Sequence, residues 1–200
     1  MTRVLIVYGT TNGHTAKIAA AAAATLREAG IEVEVIEAKR GWPRPEDFDA
    51  VVVAASVHGG TYQRAVRRWA SANAAALNRR PGAFISVCLG VLQPEEKVQH
   101  EVRAIMARFL AAAGWRPVFT TTVAGALLYT QYNPLMRWIM KRIAARAGGD
   151  TDTSRDYVYT DWTALRAFTK DFAASLTPRA TAPSASPFSP PIHPRLGACA

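Results

Sequence analysis

Residues 4–15 read Val4-Leu5-Ile6-Val7-Tyr8-Gly9-Thr10-Thr11-Asn12-Gly13-His14-Thr15. An apolar run passes into a turn rich in hydroxyls and glycine, and an alanine-rich stretch follows. That order predicts a buried strand, a tight turn and a helix beginning near Gly13. A helix N-terminus leaves backbone N–H groups unpaired and carries partial positive charge, so the turn is a ready anion site. Thr10, Thr15 and the Asn12 amide add donors, Gly13 lets the backbone approach a ligand closely, and Thr11 and His14 complete the set of candidate contacts. The lysine and spacing of G-x-x-x-x-G-K-S/T are missing, and so is G-x-G-x-x-G. A phosphate held by neutral donors alone points to a flavin mononucleotide (FMN) rather than a nucleoside triphosphate. A capped turn with nothing bound is the other reading of these residues.

Outward from this turn the chain alternates strand and helix. Val4–Tyr8 is a strand, and Gly13–Ala29 is an alanine-rich helix stopped by Gly30. Ile31–Glu37 alternates polar and apolar residues, the mark of a strand with one wet face. Ala50–Ser56 and Ala83–Leu89 are unbroken apolar strands. Tyr62–Asn78 and Glu95–Ala113 are helices, the second ended by Gly114. Pro117–Val123 is a threonine-rich strand, and Thr160 or Asp161 caps a last helix running to Leu176. Such alternation implies a parallel sheet with right-handed crossovers. Strands buried on both faces read as unbroken apolar runs, so strands one, three and four are central and strands two and five are edges. The order 2-1-3-4-5 meets both demands. The expected fold is a doubly wound, five-stranded, flavodoxin-like α/β domain over residues 1–176, with its ligand beyond the carboxyl ends of strands one, three and four.

Those ends carry the remaining candidate site residues. Ser56-Val57-His58-Gly59 follows strand three, and Cys88-Leu89-Gly90 follows strand four. Small residues and glycines let backbone amides approach a flat heterocycle, and Tyr62 or His58 is placed to cover a ring face. As ordinary βα turns they would be glycine-rich for geometry alone; three of them converging at one switch point favour a binding site. Cys88 also reads as a small core residue.

Two regions exceed the minimal fold. Residues 124–159 are too long for an ordinary connection and contain a helix near Pro134–Ala147. Leu135, Ile139 and Ile143, joined by Met136 and Met140, form its apolar stripe; Arg137, Lys141, Arg142 and Arg146 occupy much of the other side. The pattern suits a membrane surface or a helix packed on the core with a solvated basic face. Residues 177–200 hold six of the twelve prolines and no acidic residue, so a disordered tail is expected there.

The bulk composition narrows the partners. The formal net charge is +9, which favours an anionic partner. There is no apolar stretch long enough to span a bilayer and no signal-peptide plan. Cys88 and Cys199 have no zinc or redox spacing, no metal site is expected, and a reducing cytoplasm is the expected compartment.

With the loops placed, the chain resembles a known family. Thr10-x-Asn12-Gly13-x-Thr15 is similar to the flavodoxin phosphate signature T-x-T-G-x-T, with Asn12 in place of the middle hydroxyl. Ala54-Ala55-Ser56-Val57 with Tyr62, Ala124-Gly125-Ala126-Leu127 leading to Tyr129 and Tyr132, Gly148-Gly149-Asp150-Thr151-Asp152-Thr153, and Tyr159-Thr160-Asp161-Trp162 together resemble the bacterial menaquinone-dependent protoporphyrinogen IX dehydrogenases. The resemblance covers about residues 3–176. It implies FMN as cofactor, protoporphyrinogen IX as substrate in haem biosynthesis, and a membrane quinone (menaquinone) as acceptor. It also places the insertion near the active site. From the basic side of that helix we expect Arg137, Lys141 or Arg142 to meet the substrate propionates, and the protein to sit peripherally on the anionic inner face of the membrane. No catalytic acid or base is assigned and no nucleic acid is expected. The alternatives are a flavodoxin-type electron carrier, which the +9 charge disfavours, an FMN-dependent quinone reductase, and a non-enzymatic binder using charge alone.

Overall fold

In β1 (Arg3–Gly9), alternate residues go to opposite faces of the sheet, and both faces are covered. Val4 and Ile6 pack in one core, Leu5 and Val7 in the other, and all four are fully buried. The computed structural model describes residues 1–146 and 148–176. The expected tail at 177–200, Cys199 within it, and Ala147 at the end of the insertion helix lie outside the described residues.

The elements follow in chain order as α1 (His14–Glu28), β2 (Glu32–Glu37), β3 (Ala50–His58), β4 (Thr61–Tyr62), α2 (Arg64–Ala72), α3 (Ala74–Leu77), β5 (Gly82–Val87), α4 (Glu96–Ala113), β6 (Phe119–Val123), β7 (Ala126–Leu127), α5 (Pro134–Arg146), β8 (Tyr157–Val158) and α6 (Trp162–Leu176). The five long strands pair in the order β2-β1-β3-β5-β6, all parallel, which is the expected arrangement. The apolar runs β1, β3 and β5 are central. The polar-patterned β2 and β6 are the edges, as their composition demands. α1 and α6 cover one face, where Ile18, Ala19, Ala22, Ala23, Leu165 and Phe172 are buried. The small alanines bring α1 close to the strands. α2, α3 and α4 cover the other face through Val66, Trp69, Leu77, Ile105 and Phe109.

The segment expected as one helix over Tyr62–Asn78 differs. Gly59 and Gly60, both at positive φ (57° and 74°), form a two-residue hairpin loop closed by the His58–Thr61 pair. This is the backbone that a type I′ turn requires. Tyr62 therefore belongs to the antiparallel strand β4, the helix starts at Arg64, and it breaks at Asn73. Tyr62 is buried in the α4-side core against Phe84 and Phe109, its hydroxyl 2.8 Å from Ser86 Oγ, and does not line the cavity at the carboxyl ends of the central strands.

The segment after β6 builds a small core of its own from Leu127, Leu128, Tyr129, Tyr132 and Ala144. Its ends are tied by the antiparallel pair β7–β8. Asn133 Oδ1 accepts the Met136 amide at 2.8 Å to cap α5, and Asp161 Oδ1 accepts the Ala164 amide at 2.9 Å to cap α6. Of the two expected caps for the last helix, Asp161 is the one used, which leaves Thr160 for another task.

Candidate active site

The turn after β1 is held open by Gly13, whose φ of 81° is costly for a residue with a Cβ. The amides of Asn12, Gly13, His14 and Thr15 have no acceptor among the described residues, so the start of α1 presents a row of free donors. Thr15 is buried in the first turn of the helix.

Two contacts from distant segments brace this turn. His14 Nε2 lies 2.7 Å from Thr160 Oγ1, and the Thr160 hydroxyl donates to the Ala124 carbonyl at 2.7 Å. The segments on either side of the insertion are thereby fastened to the start of α1. From the other direction, Gln63 Nε2 donates to Ser56 Oγ at 2.7 Å and to Thr11 Oγ1 at 3.3 Å, joining the turn to the end of β3. Neither Gln63 nor Thr160 carried a local signal for this role, because both contacts join residues far apart in the chain.

Beyond β3, Ser56 Oγ lies 3.2 Å from His58 Nε2, and burial lowers the His58 pKa from its ordinary value. Beyond β5, the chain bends at Cys88-Leu89-Gly90. Gln99 of α4 donates to the carbonyls of Val91 at 3.1 Å and Gln93 at 2.6 Å, so the bend is held from behind. A Cβ at Gly90 would meet Val102 Cγ2 at 3.0 Å, so any larger residue there would need the Val102 side chain to give by a few tenths of an ångström. Burial pushes the Cys88 thiol pKa up, which keeps the sulfur protonated and apolar in character.

These loops enclose a cavity of about 330 Å³. Twelve of the thirteen residues expected to hold the cofactor line it: Thr10, Thr11, Asn12, His14, Thr15, Ser56, Val57, His58, Gly59, Cys88, Leu89 and Gly90. The thirteenth, Gly13, is the N-cap that shapes the turn. The far wall comes from the insertion, as Gly125, Ala126, Leu128, Tyr132, Met136, Met140 and Ile143. Three of the five residues of the expected apolar stripe of α5, Met136, Met140 and Ile143, thus face the cavity, with Met136 and Ile143 still 43% and 52% exposed, whereas Leu135 and Ile139 do not line it. A larger and shallower groove of about 900 Å³ lies between α2 and α4, lined by Arg64, Arg67, Arg68 and Arg108, away from the ends of β1 and β5.

The three basic residues expected to meet substrate do not line the cavity. Arg137 donates to the carbonyls of Tyr129 at 3.0 Å and Tyr132 at 3.2 Å, spending its charge on the backbone before α5. Arg142 lies over the Trp138 ring at 5.2 Å, and Lys141 faces the Asp152 side, where it helps to lower that carboxyl's pKa behind the hydrogen bonds from Ser154. Periodicity had put them on the side of α5 opposite the apolar stripe, and the cavity takes Met136, Met140 and Ile143 from that stripe. No cluster of three metal-ligating side chains occurs among the described residues, and none of their helices is long and apolar enough to cross a membrane.

The flavodoxin domain family matches residues 5–154. The protoporphyrinogen IX dehydrogenase (quinone) of Escherichia coli is 36% identical over 172 residues, covering 86% of this chain and 94% of that protein. The protein of the same name from Leishmania major is 33% identical over 174 residues, 86% of this chain and 75% of that one. Oxidised flavodoxin 1 from Bacillus cereus has the same fold, with a TM-score of 0.55 over 88% of this chain and 100% of its own, at 15% identity.

Proposed function

The chain belongs to the flavodoxin domain family and, within it, to the protoporphyrinogen IX dehydrogenases (quinone), and on that premise we propose that it oxidises protoporphyrinogen IX to protoporphyrin IX with FMN as cofactor and a quinone, menaquinone, as acceptor. The observation that carries the reading is the meeting of a donor-rich helix start with an apolar wall across one cavity. The first suits a phosphate monoester and the second a large apolar ring.

The residues present fit FMN. Free amides from Asn12 to Thr15 and the hydroxyls of Thr10 and Thr15 would hold the phosphate, with the helix dipole behind them. Val57, Gly59, Leu89 and Gly90 would border the ring, their small or apolar side chains giving a flat heterocycle close access to backbone. FMN supplies two-electron redox chemistry, so removing six electrons and six protons from the macrocycle takes three rounds against quinone.

The insertion is the substrate-selecting part. Met136, Met140, Ile143 and Tyr132 offer thioether, aliphatic and aromatic surface to a tetrapyrrole and keep water from the ring. Outside, Leu135 at 68% and Trp138 at 58% exposure stand beside Lys141 and Arg142. That combination supports peripheral docking on an anionic membrane surface, from which a lipid-soluble quinone arrives.

The test is anaerobic. Protein loaded with FMN is mixed with protoporphyrinogen IX and menaquinone, and porphyrin fluorescence is followed; fluorescence should rise without oxygen or nicotinamide. A flavin-loaded protein that reduces quinone with NADPH yet leaves porphyrinogen untouched would instead be a quinone reductase.

A further inference from the structure

Helix α2 reads Arg64-Ala65-Val66-Arg67-Arg68-Trp69-Ala70-Ser71-Ala72. All its charges are positive, and they crowd its N-terminal end, with no acidic residue in the first turn. Both circumstances work against the helix. Arg64 meets Arg67 and Arg68 at i,i+3 and i,i+4, where like charges repel, and cations at a helix start face the positive end of the dipole. Nothing inside the protein offsets this. The ion pairs of the described residues use Arg3, Arg40, Arg155 and Arg166, and Arg64, Arg67 and Arg68 have neither an acidic nor a hydrogen-bonding partner there.

The three arginines line one groove of about 900 Å³ with Arg108 of α4, which is likewise unpartnered among the described residues. The groove has no acidic lining residue. Glu101, set by helical spacing on the Arg108 side of α4, lies outside it. Buried Ile105 and Phe109 supply an apolar floor. At the rim stands Trp42, 57% exposed. Its loop is fastened to α2, because Trp69 Nε1 donates to the Pro43 carbonyl at 3.0 Å. A place where local electrostatic rules are broken with no internal compensation points to an external one. Guanidinium groups offer paired N–H donors that match phosphate oxygens, and four of them exceed what a single carboxylate would balance.

We propose that the groove between α2 and α4 is a binding site for a multiply charged phosphate group, held by Arg64, Arg67, Arg68 and Arg108, with Trp42 against the rest of the ligand. A soluble phosphate ester and the headgroup of an acidic lipid share this chemistry. Gly60 and Thr61 line the groove while His58 and Gly59 line the cavity, so the hairpin stands between the two. The site is therefore separate from the cavity, and it stands whether or not the cavity takes FMN.

The test uses the full chain with FMN in excess, to fill the turn after β1, and titrates it with inorganic pyrophosphate by calorimetry and tryptophan fluorescence. The parent should bind a single pyrophosphate, more weakly as salt rises. Trp42→Phe should remove the fluorescence change and keep the heat. Arg67→Gln with Arg108→Gln should raise the Kd at least about tenfold and leave the flavin absorbance unchanged. Both side chains are exposed, and without pyrophosphate the double variant should melt no lower than the parent, because repulsion in the groove is relieved. A second arm adds phosphatidylcholine vesicles carrying phosphatidic acid. Vesicle binding that the double substitution weakens and pyrophosphate releases identifies a lipid headgroup as the source; pyrophosphate binding without it identifies a soluble ester. The proposal is overturned if the parent binds no pyrophosphate, if the Kd is the same in the double variant, or if FMN abolishes the binding. A double variant that melts well below the parent also overturns it, since the arginines would then be structural.

Discussion

The Arg137 guanidinium donates its Nε–H to the Tyr129 carbonyl at 3.0 Å, eight residues back in the chain. A second N–H of the same group takes the Tyr132 carbonyl. The arginine is thus a fastener of the insertion, and its neighbours Lys141 and Arg142 are the ones left for an outside partner. That division separates three basic residues which the helical pattern alone treats alike.

Arg137→Ala should loosen the insertion. Hydrogen bonds from a charged group contribute roughly 1.5–3 kcal/mol, and the two carbonyls would be left to water. Thermal unfolding should fall accordingly, with FMN affinity little changed because the phosphate turn is elsewhere. Lys141→Ala with Arg142→Ala should stay within about 0.5 kcal/mol of the parent in stability while weakening association with anionic liposomes. Equal stability in all of these proteins would show that the Arg137 contacts carry no weight.

Thr15→Ala removes a buried hydroxyl from the first turn of α1. Losing one hydrogen bond to a charged oxygen costs roughly 1.5–3 kcal/mol, so the FMN Kd should rise about tenfold or more. Riboflavin, with no phosphate, should bind both proteins alike.

Met136→Asp and Ile143→Asp each put a charge on the cavity wall at a position that is partly exposed. Stability should change by less than about 0.5 kcal/mol. Porphyrinogen oxidation should fall at least tenfold with FMN still bound. Unchanged turnover would place the macrocycle elsewhere.

Tyr62 governs an alkaline limit. Burial raises its hydroxyl to about 12, against the effect of the Ser86 hydrogen bond. The folded pKa lies above the unfolded one, so this contribution to stability is complete below about pH 10 and is lost as pH climbs through about 12. Denaturant unfolding across that range should show a loss of up to about 2 kcal/mol that Tyr62→Phe flattens. The substitution should also cost roughly 1–3 kcal/mol at neutral pH by leaving Ser86 Oγ unpaired.

The strand order could be read directly, because burial on two faces writes itself as an unbroken apolar run and burial on one as alternation. β1, β3 and β5 fall in the first class, β2 and β6 in the second. The turn after β1 was legible for a similar reason, since strand, turn and helix start are contiguous. The hairpin at Gly59-Gly60 was written in the sequence as a pair of glycines between extended segments, but the amphipathic run beginning at Arg64 drew the helix back over Tyr62. What local pattern cannot hold is partnership at a distance. Helical spacing identified the α5 stripe without saying that Met136, Met140 and Ile143 of it would face a cavity while Leu135 stayed exposed. The bond between His14 and Thr160, 146 positions apart, exists only once the sheet has closed.

The pairing of β7 with β8 sets Ala126 opposite Val158. The polypeptide therefore leaves the parent architecture and re-enters it at one doorway, and everything between is an excursion that the sheet does not have to accommodate. An excursion with a shared entrance and exit is exchangeable: its length and lining can drift while the cofactor cradle keeps its shape. The far wall of the cavity can thus be rewritten separately from the loops at the strand ends, in a segment whose replacement leaves the strand order untouched.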